Sequence, residues 1–188
     1  MSEPHSVAIV VGSLRAASLS RKTATALMAK APDGLHCRIV EIGDLPLYNE
    51  DLEANAPATW TRFRADIASS DAILFVTPEY NRSMPGGLKN ALDVGSRPAG
   101  KSVFDGLPAG VVSITPYKLG AFGANHHLRQ TFVFLNLLPM QQPEAYIGGA
   151  GELFDETGAL INEDTAAFLA KFMTAFGRWV GIVRANPA

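Results

Sequence analysis

Short continuous apolar runs alternate with longer stretches whose apolar positions recur every three or four residues, and this alternation sets the fold class. Val7-Ala8-Ile9-Val10-Val11 is unbroken and β-branched, as expected of a central parallel strand covered on both faces. Gly12 to Ser18 reads as a loop, and Leu19 to Ala29 as an alanine-rich helix. Arg38 to Ile42 is a second strand, and Ala58 to Ala68 a helix with Trp60, Phe63 and Ile67 at helical spacing. Ala72 to Val76 gives a third strand, Gly86 to Val94 opens a third helix, and Ala109 to Ile114 is a fourth strand. Asn125 to Leu138 reads as a fourth helix, and Met140 to Ile147 contains a fifth strand weakened by Pro143. Thr165 to Val183 is a long last helix, with Phe168, Phe172, Phe176 and Trp179 on a stripe that belongs in a core. Strands and helices in strict alternation imply an α/β protein, a parallel sheet with helices on both faces.

Composition narrows the partners. The 188 residues are expected to form one domain, 1–188, with 47% hydrophobic residues and an ordinary core. A net charge of −2 gives no electrostatic footprint for nucleic acid or an anionic membrane. The longest apolar runs are too short to cross a bilayer, and the start, Met1-Ser2-Glu3-Pro4-His5, lacks the basic and apolar regions of a secretory signal. The lone Cys37 excludes an internal disulfide and reads as a small packing residue. A cytoplasmic location is the expectation.

Two loops carry chemistry. Gly12-Ser13-Leu14-Arg15-Ala16-Ala17-Ser18-Leu19-Ser20 combines hydroxyls, one guanidinium and a helix start, the ingredients of an anion site suited to a phosphate monoester. The bland alternative is a serine N-cap beside a solvated Arg15. The loop is neither a Walker A sequence nor a three-glycine dinucleotide fingerprint, which argues against an NTPase and a Rossmann dehydrogenase. After the third strand comes Thr77-Pro78-Glu79-Tyr80-Asn81-Arg82-Ser83-Met84-Pro85-Gly86-Gly87, with two prolines, two glycines and an aromatic ring. In a sheet of flavodoxin type these loops lie side by side at the switch point, where open α/β sheets bind ligands. A phosphate cradle facing a loop of amides and a ring suits a mononucleotide with a large planar head; a tight structural turn is the alternative.

Gly12-Ser13-Leu14-Arg15…Ser18…Ser20 together with Pro78-Glu79-Tyr80-Asn81…Ser83…Pro85-Gly86…Leu88-Lys89-Asn90-Ala91…Asp93 resembles the NAD(P)H-dependent FMN reductase family, which includes quinone reductases, chromate reductases and some azoreductases. His127-Leu128-Arg129-Gln130 and Gln142-Pro143-Glu144 extend the resemblance over most of the chain. It implies a flavodoxin-like three-layer α/β/α sandwich with a five-stranded parallel sheet of order 2-1-3-4-5. It implies that Ser13, Arg15, Ser18, Leu19 and Ser20 hold the FMN phosphate, and that Pro78, Glu79, Tyr80 and Asn81 line the isoalloxazine largely through backbone groups. Thr115, Pro116 and Tyr117 would border its other edge, where the family often has a glycine-rich turn instead; Ser20 stands where relatives commonly carry asparagine. The implied activity is ping-pong transfer of a hydride from NAD(P)H through FMN to small-molecule acceptors such as quinones, chromate, ferric complexes or azo compounds. The implied assembly is a homodimer or homotetramer with the flavin site at the subunit interface, to which Asp44–Glu53 and Ser96–Leu107 are placed to contribute contacts or lids.

Rival readings are a flavodoxin-like electron carrier, which would be expected to be strongly acidic, and an FMN-binding regulatory module. No acid, base or nucleophile of the chain is required: Glu79 and Lys89 are the nearest titratable groups, and neither is expected to be an essential catalyst. Adjacent helical residues point about 100° apart, so His126 and His127 do not converge on a metal ion. Arg82, Arg97 and His126 are left as candidates for dinucleotide phosphates or subunit contacts.

Overall fold

The computed structural model describes residues 4–186, so Met1, Ser2 and Glu3 of the start lie outside it. Its elements are β1 (His5–Val11), α1 (Leu19–Ala29), β2 (Leu35–Val40), α2 (Ala58–Ala68), β3 (Ala72–Thr77), α3 (Gly86–Gly95), β4 (Pro108–Ile114), α4 (Phe122–Leu135), β5 (Leu138–Pro139), β6 (Ala145–Ile147) and α5 (Glu163–Ala185). The sheet is parallel in the order β2-β1-β3-β4-β5, with β6 also paired to β4. This is the flavodoxin-like order expected from the sequence.

Alternation along the strands sorts the core into two faces. Ala8, Val10, Ile73, Phe75, Ala109 and Val111 meet Trp60, Phe63, Leu88, Leu128 and Phe132 of α2, α3 and α4. Val7, Ile9, Val11, Leu74, Val76 and Val112 meet Ala24 and Leu27 of α1 and Leu169, Phe172, Met173, Phe176 and Val180 of α5. Gly110 lets this second layer close, because a Cβ there would sit 2.9 Å from Leu74 Cδ1 and 3.1 Å from the Phe176 ring. Helix α5 is long and apolar enough by composition to cross a membrane, contrary to the reading that all apolar runs are too short. Its buried stripe is instead part of this core, as the aromatic spacing implies.

Three boundaries depart from expectation. Strand β2 runs over 35–40 rather than 38–42, pairing His5 with Leu35 and Val10 with Val40. The Glu41 carbonyl accepts from Arg62 Nη2 at 2.8 Å, outside the ladder. Helix α4 is displaced three residues toward the N-terminus. It ends at Asn136, which takes a left-handed φ of 52°, and residues 138–139 go to the sheet. The fifth strand is split: Met140 N–H still donates to the Ala109 carbonyl at 2.8 Å, but pairing resumes only at Ala145, opposite Val112. Pro143, which has no N–H, sits in the interruption.

Candidate functional site

The C-terminal ends of β1, β3 and β4 bring the three loops of interest to one edge of the sheet, beside the point where strand order reverses. The first loop leaves β1 pressed against β3. Gly12 N–H donates to the Val76 carbonyl at 2.9 Å, and a Cβ on Gly12 would lie 2.9 Å from Thr77 Oγ1. Ser18, in extended conformation, caps α1 by accepting from Arg21 N–H at 3.1 Å, so the bland N-cap reading holds for that residue. Ser13 and Ser20 are buried residues, at 5% and 1% exposure. No acidic residue occupies the first turn of α1, and Arg15 is exposed beside the loop. Serine hydroxyls, a nearby cation and a helix N-terminus free of acidic residues fit a phosphate. Leu19 is half-buried at the first helical position.

The second loop is a β-hairpin in miniature. Tyr80 and Ser83 exchange backbone hydrogen bonds of 2.9 and 3.0 Å around Asn81 and Arg82, whose φ values are 52° and 64°. Two consecutive left-handed residues define a type I′ turn. The turn is fastened to α4 at two points. Glu79 accepts from Ala124 N–H through Oε2 at 3.1 Å, and Ser83 Oγ lies 2.7 Å from His127 Nδ1. Glu79 also accepts from Arg82 Nη1 at 3.1 Å through Oε1. Because Ala121, the N-cap of α4, has no side chain able to cap, the Glu79 carboxylate does that work from another loop. Gly123 leaves room for it: a Cβ there would meet Glu79 Oε2 and the Arg82 carbonyl, each at 2.9 Å. The Tyr80 ring is 46% exposed, and Pro78 is half-buried at the end of β3.

The third loop, with Thr115, Pro116 and Tyr117, is tied to the chain after β6. Thr115 N–H donates to the Ile147 carbonyl, Ala150 N–H to the Thr115 carbonyl and Gly149 N–H to the Tyr117 carbonyl. Gly120, at φ 60°, lies so close to Tyr146 that a Cβ would come within 2.7 Å of its backbone. The Tyr117 ring is 77% exposed.

Two adjoining clefts result. One, of about 300 Å³, lies between Gly12, Leu14, Arg15, Tyr80 and residues 85–87. The other, of about 460 Å³, is bordered by Glu79, Asn81, Arg82, Thr115, Tyr117 and Leu119. Arg97, by contrast, borders a separate groove between α3 and α4 with Tyr48 and Phe134. His126 Nε2 lies 2.9 Å from Tyr146 Oη, which donates to Glu144 at 2.7 Å. Burial, and then this bond to Glu144, push the Tyr146 phenol up to about 12. His126 and His127 thus serve different partners. Lys89 forms an exposed ion pair with Asp93, one helical turn on, at 2.7 Å.

Sequence reasoning missed two structural holders. The Glu79 side chain braces α4, and buried Asn90 accepts from Tyr48 N–H at 2.8 Å while donating to the Leu45 and Pro46 carbonyls, pinning the 44–48 connection to α3. An amide on an otherwise apolar helix face, beside Leu88, Ala91 and Leu92, was the available signal for Asn90.

Residues 5–152 match the family model described as NADPH-dependent FMN reductase. The chain belongs to this family. It is 59% identical over 186 residues, 98% of this chain and all of that one, to a quinone reductase of Pseudomonas putida. It is 42% identical to a 2-hydroxy-1,4-benzoquinone reductase of a Burkholderia species, over 93% and 95% of the two chains. The solved structure of FerB, a flavoenzyme NAD(P)H:(acceptor) oxidoreductase of Paracoccus denitrificans, matches with a TM-score of 0.89 and 41% identity over 94% of this chain and 97% of that one. A flavodoxin of Pseudomonas aeruginosa, at TM-score 0.54 and 21% identity, shares the fold. The protein is therefore an oxidoreductase that uses FMN with NAD(P)H as electron donor.

Proposed function

We propose that the protein reduces quinones with electrons from NAD(P)H, as one domain of residues 1–188 acting in the cytoplasm. The observation that carries the reading is the meeting, at one sheet edge, of the serine- and arginine-bearing start of α1 and the left-handed turn after β3, in a chain similar along its length to quinone reductases. FMN, when bound, supplies the chemistry, relaying a hydride equivalent from the nicotinamide to the acceptor. Ser13 and Ser20 offer hydroxyls to the FMN phosphate, Ser18 keeps its hydroxyl hydrogen free for donation, and the α1 N–H groups at Leu19 and Ser20 and the Arg15 guanidinium complete the grip. Pro78, Glu79, Tyr80 and Asn81 present backbone groups to the isoalloxazine, and Thr115, Pro116 and Tyr117 close the far edge. The Glu79 carboxylate is committed to α4 and Arg82, so it supports the loop rather than moving a proton.

Chromate, ferric complexes and azo compounds are further candidate acceptors for an open cleft of this kind. Assembly as a homodimer or homotetramer suits the α4 surface, where Val133 and Phe134 are each 86% exposed beside the α3–α4 groove.

Purified protein titrated with FMN, then assayed with NADH and NADPH against a quinone panel, tests the reading. Tight FMN uptake and quinone-dependent NAD(P)H oxidation are expected, with Ser13→Ala and Arg15→Ala each weakening FMN by about tenfold. A protein that takes up no FMN overturns it. Uptake without NAD(P)H oxidation would favour an electron carrier or a regulatory module on the same fold.

A further inference from the structure

Arg82 occupies a position where its side chain is a burden to the backbone. In a type I′ turn the second central residue is most at ease as glycine, and Asn-Gly is the preferred pair. Asn81 fits its place, but Arg82 holds φ 64° with a long side chain. The turn itself does not need that side chain, since the Tyr80–Ser83 bonds and the two ties to α4 are made by other groups. The Arg82 side chain is 74% exposed, and one of its five N–H donors is engaged, Nη1 on Glu79 at 3.1 Å. It borders the 460 Å³ cleft together with the exposed Tyr117 ring and Leu119. A cation beside apolar and aromatic surface, in the cleft next to the one that Arg15 borders, has the chemistry to receive a second, separate phosphate attached to a flat heterocycle.

We propose that Arg82 recognises a phosphate of the nicotinamide dinucleotide and sets the enzyme's affinity for its electron donor. This rests on the NAD(P)H-dependent reading above. The competing role is neutralisation of Glu79. That carboxylate already faces the N-terminal turn of α4, and an ion pair with so exposed a guanidinium adds little.

The test compares wild type with Arg82→Gly, Arg82→Lys and Arg82→Gln, all loaded with FMN. KM is measured for NADH and NADPH, and binding of NAD+ and NADP+ by calorimetry. Arg82→Gly is expected to melt at or above the wild-type temperature, because glycine relieves the left-handed φ. The same variant is expected to raise the dinucleotide KM and Kd about tenfold, with kcat changed less. Lysine should recover most of the loss and glutamine little of it. A rise confined to the 2′-phosphorylated dinucleotides identifies that phosphate; an equal rise for all four identifies the pyrophosphate. Unchanged dinucleotide binding in Arg82→Gly overturns the proposal, and a lower melting temperature with unchanged binding assigns Arg82 to Glu79 instead. A wild-type protein that takes up FMN but neither binds nor oxidises NAD(P)H would refute the donor reading before any variant is made.

Discussion

Replacing Glu79 by alanine removes the acceptor that holds the first turn of α4. The Glu79 side chain is 12% exposed, and its Oε2 receives Ala124 N–H at 3.1 Å. A hydrogen bond to a charged group contributes about 1.5–3 kcal/mol, and loss of a helix cap costs about 0.5–2 kcal/mol. The two describe the same interaction, so they do not add, and about 2 kcal/mol is the expected cost. The contact with Arg82 is discounted, since that side chain is 74% exposed. For a chain of this size about 2 kcal/mol lowers the melting temperature by about 4–8 °C. Glu79→Gln keeps an oxygen acceptor but loses the charge opposite the helix dipole, and should cost about half as much. Because the brace also fixes Tyr80–Ser83, FMN binding should weaken in both variants, more in the alanine one. Thermal unfolding of the FMN-free protein, with amide exchange at Ala124, reads the brace without the cofactor. An alanine variant that melts with wild type and keeps Ala124 protected would refute the reasoning, and α4 would then owe its start to packing alone.

Other parts of the fold give equally direct expectations. Gly95→Ala would place a Cβ 2.5 Å from two atoms of the fully buried Phe104 ring and 3.2 Å from Phe63, so overpacking should cost about 1–3 kcal/mol in chemical denaturation; wild-type stability would mean that α3 and the 96–107 connection separate easily. Tyr146, held to about 12 by burial and by its bond to Glu144, keeps its proton in the native state above the pH at which an unfolded tyrosine loses it. Its contribution to stability is therefore intact below about pH 10 and disappears as pH rises through about 12. A pH titration of phenolate absorbance should show a late component that Tyr146→Phe abolishes and Glu144→Gln shifts downward; persistence of that component in Tyr146→Phe would assign it elsewhere.

The central strands were legible because β1, β3 and β4 are buried on both faces and so read as unbroken apolar runs. Strand β2 was less so. It lies at the sheet edge, His36 is exposed, and its register is set by β1 rather than by its own pattern. The start of α4 was hidden for a related reason: its cap comes from Glu79, far away in sequence, while the local residue at that position is Ala121. The split of β5 from β6 was half visible, since Pro143 marked a weakness without saying where pairing would resume.

The same distinction runs through the site. The first loop announced itself because its candidate chemistry lies in the side chains of Ser13, Ser20 and Arg15. The second loop owes its shape to backbone held in a left-handed pair, which no residue type reports directly. Glu79 looked like cofactor lining but its carboxylate is consumed in holding the loop; Arg82, one of three cations left open between dinucleotide phosphates and subunit contacts, sits where the turn would accept glycine more readily. In both cases the informative quantity is the mismatch between a side chain and its backbone setting, an acid spent on a distant helix end and a cation kept at a strained turn. That mismatch exists only once the β3 loop and α4 are brought together, so it separates the residue that shapes the cleft from the residue left free to bind within it.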